Sequence, residues 1–218
     1  MKLNIALLPG DGIGPEVTNE AVKVLKAIAS EFDHTFIFKE ASVGAIAIDT
    51  TGNPLPDETL DLCMATDAIL FGSIGHPKYD NDPSAKVRPE QGLLKLRKSL
   101  GLFANIRPVK AYEALIDKSP LKKEIISGTD ISIYRELTGG IYFGEKHLSE
   151  DGNTASDLCQ YSRFEIERIA HLAFKAALNR DKKVTLIDKA NVLESSRLWR
   201  KVCLLYTSDA ADDMQCVD

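Results

Sequence analysis

Three arginines, a tyrosine and a lysine are the side chains here whose types and positions suit chemistry on a small anion. Arg135 lies in Ile131-Ser132-Ile133-Tyr134-Arg135, where strand alternation puts it on one face with Ile131 and Ile133. Arg107 ends a short apolar run just before Pro108. A half-buried guanidinium needs an anion, and two or three converging guanidiniums suit a dicarboxylate through bidentate pairing. The alternative is internal ion pairing, for Arg135 with a neighbour such as Glu136. Tyr142 follows the break Gly139-Gly140, and Lys189 ends an apolar run. A phenol and an amine can serve as proton donor and acceptor when their surroundings tune them, though tyrosine and lysine are more often packing and surface residues.

The segment Glu90-Gln91-Gly92-Leu93-Leu94-Lys95-Leu96-Arg97 carries a second grouping. At about 100° per residue, Leu93, Arg97, Glu90 and Leu94 fall near about 0°, 40°, 60° and 100°. One helix face thus combines two leucines, a carboxylate and a guanidinium, which suits a branched alkyl group beside a carboxylate; an arginine snorkelling from an ordinary face is the alternative. Gly10-Asp11-Gly12-Ile13-Gly14 lies between a strand and a helix, but its third glycine comes one residue early for a dinucleotide fingerprint. A tight turn that lets the helix start close to the strand accounts for it equally well.

The elements that must hold these residues are those of an α/β protein. The 218 residues are 44% hydrophobic and 27% charged, an ordinary globular composition that excludes collagen-like and long disordered chains. A net charge of −5 argues against nonspecific nucleic-acid binding. No apolar run approaches the length of a membrane span, and the N-terminus reaches Pro9-Gly10 too soon for a signal peptide. Cys63, Cys159, Cys203 and Cys216 lack metal spacing, so reduced thiols in a cytoplasmic protein are expected.

Strands are expected over 3–8, 34–39, 68–71, 103–107, 131–136, 141–143 and 184–187, the fourth stopped by Pro108. Helices are expected from Pro15 with Val17, Ala21, Val24 or Leu25, and Ile28 inward, and over 57–66, 90–100, 163–180 and 192–202. The 163–180 helix has a Ser162 cap and turns Phe164, Ile169, Leu172, Ala173 and Ala176 inward. A glycine- and proline-rich loop over 72–89 follows the third strand, a place where α/β folds keep their function.

Five segments then line up. Leu8-Pro9-Gly10-Asp11-Gly12-Ile13-Gly14-Pro15-Glu16-Val17, Arg88-Pro89-Glu90-Gln91-Gly92-Leu93-Leu94-Lys95-Leu96-Arg97-Lys98, Leu102-Phe103-Ala104-Asn105-Ile106-Arg107-Pro108, the run from Arg135 to Glu145, and Asp188-Lys189-Ala190-Asn191-Val192-Leu193 occur in the order seen in β-decarboxylating dehydrogenases. From Met1 to about Val202 the chain resembles the isocitrate/isopropylmalate dehydrogenase family, on its isopropylmalate branch.

The resemblance implies a two-lobed α/β fold with a mostly parallel sheet in the first lobe. It also implies oxidative decarboxylation of 3-isopropylmalate in leucine biosynthesis, with NAD taking the hydride and Mg²⁺ or Mn²⁺ assisting. By match to the motifs, Arg97, Arg107 and Arg135 bind substrate carboxylates, and Leu93 and Leu94 favour isopropyl over a third carboxylate. Tyr142 and Lys189 move protons, Lys189 within the other subunit's site of an obligate homodimer. Ile13, Gly75, Glu90 and Asn191 line the cofactor cleft, and the glycine turn is not a pyrophosphate cradle in this family.

Residues 1–99 read as the N-terminal part of the first, cofactor-side domain, 100–203 as part of the second, and 204–218 as a tail outside the family pattern. The metal ligands and adenine loop of the family find no match, which leaves NAD against NADP open. Asp209, Asp212 and Asp213 have nothing to hold them in metal geometry, so the chain as written is expected to be an inactive, poorly stable fragment. Isocitrate, homoisocitrate or tartrate chemistry, or a non-catalytic dimerising or binding module, are the alternatives.

Overall fold

The computed structural model describes residues 1–82, 85–209 and 215–217, so Asp212 and Asp213 lie outside the described residues. The chain divides into two units, Met1–Leu100 and Gly101–Asp218. The first contains β1 (Lys2–Gly10), α1 (Gly14–Glu31), β2 (Thr35–Glu40), α2 (Ala45–Thr51), α3 (Asp57–Met64), β3 (Ala68–Ser73), α4 (Pro77–Asp80) and α5 (Pro89–Ser99). Its three strands form a parallel sheet in the order β2-β1-β3. The near-continuous apolar run of β1 puts Ala6 and Leu8 in a core with Val43, Leu55, Cys63 and Leu96.

Backbone contact sets the geometry at the carboxyl ends of β1 and β3. A Cβ on Gly10 would lie 2.0 Å from the Ser73 carbonyl oxygen, one on Gly14 2.0 Å from that of Pro9, and one on Gly72 2.2 Å from that of Pro9. These glycines are filled by main chain, the tight-turn alternative. The same contact rotates α1. Gly14 and Thr18 are its buried residues, with Ala21, Val22, Leu25 and Ala29 half-buried, whereas the expected inward residues Val17, Val24 and Ile28 are exposed. Pinning Gly14 against Pro9 fixes which side of the helix meets the sheet, and the stripe of larger apolar residues lies to one side of it.

Helix α5 turns Pro89, Gly92 and Leu96 inward, and a Cβ on Gly92 would come within 2.5 Å of the Pro54 carbonyl. Leu93, Leu94 and Arg97 consequently stay half-buried beside that face, with Glu90 exposed.

The second unit contains β4 (Ala104–Lys110), a 3-10 helix (Glu113–Lys118), α6 (Lys123–Ile126), β5 (Asp130–Glu136), β6 (Lys146–Leu148), β7 (Ala155–Asp157), α7 (Arg163–Leu178), β8 (Lys183–Thr185), α8 (Glu194–Asp209) and β9 (Gln215–Val217). β4 pairs antiparallel with β5, β6 with β7, and β8 parallel with β9. A second core gathers Ile166, Ala170, Phe174, Val202 and Cys203.

Several expectations are corrected here. β4 runs through Pro108, which pairs opposite Ser132; a two-stranded ladder has only edges, where a missing N–H is tolerated. Ile141–Phe143 is a turn rather than a strand. Helix α7, capped by a Ser162–Glu165 capping box, buries Ile166, Ile169, Ala170, Phe174 and Ala177, and leaves Phe164 exposed. Its rotation is set by Arg168, whose guanidinium lies over the rings of Phe103 and Phe164. β8 is only three residues long and Ile187 beyond it is 92% exposed. α8 continues to Asp209, because residues 203–209 contain no proline or glycine and Val202 and Cys203 prolong its buried stripe.

Gly14→Ala separates backbone contact from helix propensity. Propensity alone would stabilise by up to about 1 kcal/mol; the collision with the Pro9 carbonyl is expected to dominate and destabilise by about 2 kcal/mol or more, read by urea unfolding.

Candidate functional site

In the first unit a single carboxylate assembles the loops. Asp11, 6% exposed, accepts N–H bonds from Ala45 (2.7 Å) and Gly75 (3.0 Å) on Oδ2 and from Ile46 (2.9 Å) on Oδ1. Its own amide donates to the Ser73 carbonyl at 2.7 Å, and the Ser73 hydroxyl donates to the Asp11 carbonyl at 2.8 Å. One side chain therefore caps α2, holds Gly75 at φ +120°, and fixes the turn that carries Ile13. A Cβ on Gly75 would sit 3.4 Å from Glu90 Oε1, so the Glu90 carboxylate borders the bare Gly75 backbone. Of the four residues expected at the cofactor, Ile13 (59% exposed) and Gly75 lie on loops joined by Asp11, and Glu90, at the start of α5, stands beside Gly75.

The segment beyond Gly75 is fastened too: Lys78 Nζ and Tyr79 Oη both donate to Asp49 Oδ1, and Arg88 donates to the Tyr79 carbonyl. The Lys78 and Tyr79 bonds hold the Asp49 carboxyl below its ordinary range. Leu93, Leu94, Arg97 and Glu90 share the outer side of α5, as their spacing predicts. Asp11 escaped the sequence reading; its signal was a carboxylate flanked by Gly10 and Gly12 at a strand end, where a buried acid needs several backbone donors.

In the second unit the β4–β5 register places Arg107 opposite Ile133 and Asn105 opposite Arg135. Opposed residues share a face, so both arginines and Asn105 project from the same side of the ladder. Arg107 Nε donates to Asn105 Oδ1, and the Arg135 guanidinium lies 5.1 Å from the centroid of the Tyr142 ring. The expected alternative partner of Arg135 is otherwise engaged, since Glu136 points to the opposite face and pairs with Arg168 at 2.6 Å.

The turn bearing Tyr142 rests on Tyr161. Gly140, at φ +75°, donates its N–H to the Gln160 carbonyl, and a Cβ there would lie 2.4 Å from Tyr161 Oη. Burial pushes the Tyr161 phenol up, and its ring packs edge-on to Trp199. Tyr161 is therefore a wall, whereas Tyr142 is exposed.

Lys189 and Asn191 come from another element, the loop between β8 and α8, and both are exposed. Asp188 builds that loop by accepting the Ala190 N–H at 3.0 Å and two bonds from the Arg200 guanidinium at 3.0 and 3.1 Å. The Lys189 amide donates to Ser196 Oγ, its carbonyl accepts from Val192 and Leu193, and Arg197 donates to the Ala190 carbonyl. Asn191 borders an open hollow of about 560 Å³ lined also by Arg197, Arg200 and Lys201.

Among the described residues no group of three His, Cys, Asp or Glu side chains could hold a metal ion, and no helix is long and apolar enough to cross a membrane. Asp11, Glu136 and Asp188 are turned to backbone amides and guanidiniums and Asp49 to Lys78 and Tyr79, so the described residues do not fit a divalent cation.

Arg200 beside Asp188 holds that carboxyl below its ordinary range, so this contribution to stability is present above about pH 4 and is lost as pH falls through the depressed value. Asp188→Asn is expected to lower the thermal midpoint at pH 7, with the gap to the unsubstituted chain closing on acidification below about pH 4. A gap that stays constant down to pH 2 contradicts this.

The isocitrate/isopropylmalate dehydrogenase profile matches residues 4–218. The chain is 53% identical over 217 residues to the 3-isopropylmalate dehydrogenase of Rhodopirellula baltica, covering 99% of this chain and 60% of that protein. It is 55% identical over 206 residues to that of Bacillus subtilis, covering 93% and 56%. The chain thus spans somewhat more than half the length of these relatives. Among solved structures, isocitrate dehydrogenase from Methylococcus capsulatus superposes with a TM-score of 0.82 at 30% identity, covering 98% of this chain and 59% of that one. A β-decarboxylating dehydrogenase from Thermococcus kodakarensis gives 0.70 at 30% identity, covering 98% and 57%. The glycine turn, the arginine-bearing ladder and the Asp188 loop therefore sit on a fold shared with these dehydrogenases, and the chain belongs to the isocitrate/isopropylmalate dehydrogenase family.

Proposed function

We propose that this chain carries the substrate-recognition and proton-transfer residues of a 3-isopropylmalate dehydrogenase, oxidising the substrate hydroxyl with NAD and releasing carbon dioxide. One observation supports this most: Arg107 and Arg135 on one face of β4–β5, with Tyr142 beneath Arg135. Two guanidiniums on one surface bind a carboxylate pair, and the phenol placed there can deliver a proton to a carbon next to the departing carboxylate.

In this reading Arg107, fixed by Asn105, and Arg135 hold the malate carboxylates, and the resemblance gives Arg97 a carboxylate-binding role as well. Leu93 and Leu94 take the isopropyl group, for which a third carboxylate would be left unpaired. Lys189, presented on the Asp188 loop, withdraws the hydroxyl proton, and Tyr142 protonates the enolate carbon once carbon dioxide has left. The bare Gly75 backbone beside the Glu90 carboxylate, with Ile13 exposed on the Asp11 turn, supports a nicotinamide-binding role for these three residues. NAD bound there would supply the hydride acceptor, and the resemblance gives Asn191 a cofactor-binding role. The divalent cation of the family would draw on residues other than those described, and no step is assigned to it.

A homodimer follows from the same reading. Lys189 is exposed within its own chain, as a residue serving a partner's site must be, and the β6–β7 hairpin is exposed along both strands. A cytoplasmic location is part of this proposal.

A chimera of residues 1–202 and the remaining C-terminal part of the Bacillus subtilis relative tests the assignment. Its kcat/KM is expected to be highest for 3-isopropylmalate among isopropylmalate, isocitrate and tartrate. Leu93→Ser with Leu94→Asn should erode the isopropylmalate preference by about tenfold or more. A higher kcat/KM on isocitrate overturns the assignment.

A further inference from the structure

Glu136 lies at the end of the strand that carries Arg135, and the proposed chemistry gives it no part. Its side chain is 1% exposed. Oε2 accepts the Thr138 N–H at 2.8 Å and the Gly139 N–H at 2.7 Å, while Oε1 accepts the Thr138 hydroxyl at 2.8 Å and Arg168 Nη2 at 2.6 Å. Arg168 Nη2 also donates to Thr138 Oγ1. The guanidinium is held by the rings of Phe103 and Phe164, at 4.7 and 5.2 Å from their centroids. Its Nε is buried without a hydrogen-bond partner. A buried donor left unpaired is costly, so this arginine is kept there at some expense to stability.

The geometry points to Glu136 as a positioning residue for the Tyr142–Arg135 pair, an inference that rests on the function proposed above. Strand alternation sends Arg135 to one face of β5 and Glu136 to the other. The two backbone donors captured by Oε2 belong to the residues that reverse the chain after β5. That reversal returns Tyr142, seven residues beyond Arg135 in the chain, to within 5.1 Å of its guanidinium. Arg168 neutralises the carboxylate from the protein side and aligns Oε1, which leaves Oε2 to the backbone. The ion pair acts on the reacting groups only through the turn.

Apolar replacement tells positioning from stability, because a buried ion pair can often be exchanged for apolar side chains without loss of stability. In the 218-residue chain, Glu136→Met with Arg168→Met removes both charges together and is expected to leave the chain folded, with the unfolding midpoint lowered by the unpaired Thr138 and Gly139 amides. It should also abolish the upfield ring-current shift that Tyr142 imposes on the Arg135 δ-protons, read by NMR and assigned with Tyr142→Phe. Glu136→Gln with Arg168→Met retains one acceptor oxygen for Thr138 and Gly139 without leaving a cation unpaired, and should restore most of that shift. The Met pair, moved into an active chimera, should lower kcat at least tenfold, and the Gln variant should recover it. A persistent shift in a folded Met-pair variant overturns the inference, as does its loss in the Gln variant. Inactivity of the unsubstituted chimera on every substrate would instead overturn the functional reading, leaving the NMR comparison to decide the role of Glu136 separately.

Discussion

The structure depends on carboxylates that gather backbone N–H groups inside turns. A turn leaves several amides without a ladder partner, and each buried donor left unpaired costs on the order of 1–3 kcal/mol. Asp11 takes three such donors, Glu136 takes two and Asp188 takes one, the latter two also neutralised by Arg168 and Arg200. Each acid lies within two residues of one assigned to chemistry: Ile13, Arg135 and Lys189. The division of labour is local. The acid turns inward and shapes the turn, and its neighbour is left facing outward.

In the proposed function, this arrangement lets a chain of net charge −5 present arginines to an anionic substrate. The acids next in sequence to Arg135 and Lys189 are engaged by Arg168 and Arg200. Alternation along β5 separates Glu136 from Arg135 by a full sheet face, so the carboxylate does not compete for the guanidinium that lies over Tyr142. In the first unit glycine does the complementary work. Gly10, Gly14 and Gly72 let main chain meet main chain, which brings Asp11 close enough to reach the Gly75 amide.

Periodicity reported the sequence elements wherever one side of an element dominates its energetics. The apolar run of β1 and the helix spacing of α5 are of that kind, and the outer face of α5 carries Leu93, Leu94 and Arg97 as the spacing requires. Rotation was harder to read where a close contact outweighs apolar area. Gly14 against Pro9 turns Val17, Val24 and Ile28 of α1 away from the sheet, and the reach of Arg168 to Glu136 leaves Phe164 of α7 exposed. The Arg168–Glu136 contact joins residues 32 apart, so no local window contains it, and the Gly14–Pro9 contact, though local, is made by backbone that side-chain periodicity does not report. Pro108 misled for a related reason: whether a proline ends a strand depends on which edge it faces, and that is a property of the sheet. The site residues were legible as types and motifs, whereas the acids that hold them were not, because a buried carboxylate and a solvated one look alike in sequence.

Native-state amide hydrogen exchange of the chain near neutral pH, resolved by residue, tests the role of these acids most directly. If they hold the functional turns, the amides of Gly75, Gly139 and Ala190 exchange far more slowly than unstructured peptide despite lying outside regular elements, and each loses that protection when Asp11, Glu136 or Asp188 respectively is replaced by alanine. Exchange of these three amides at the rate of an unstructured peptide in the unsubstituted chain would contradict the account.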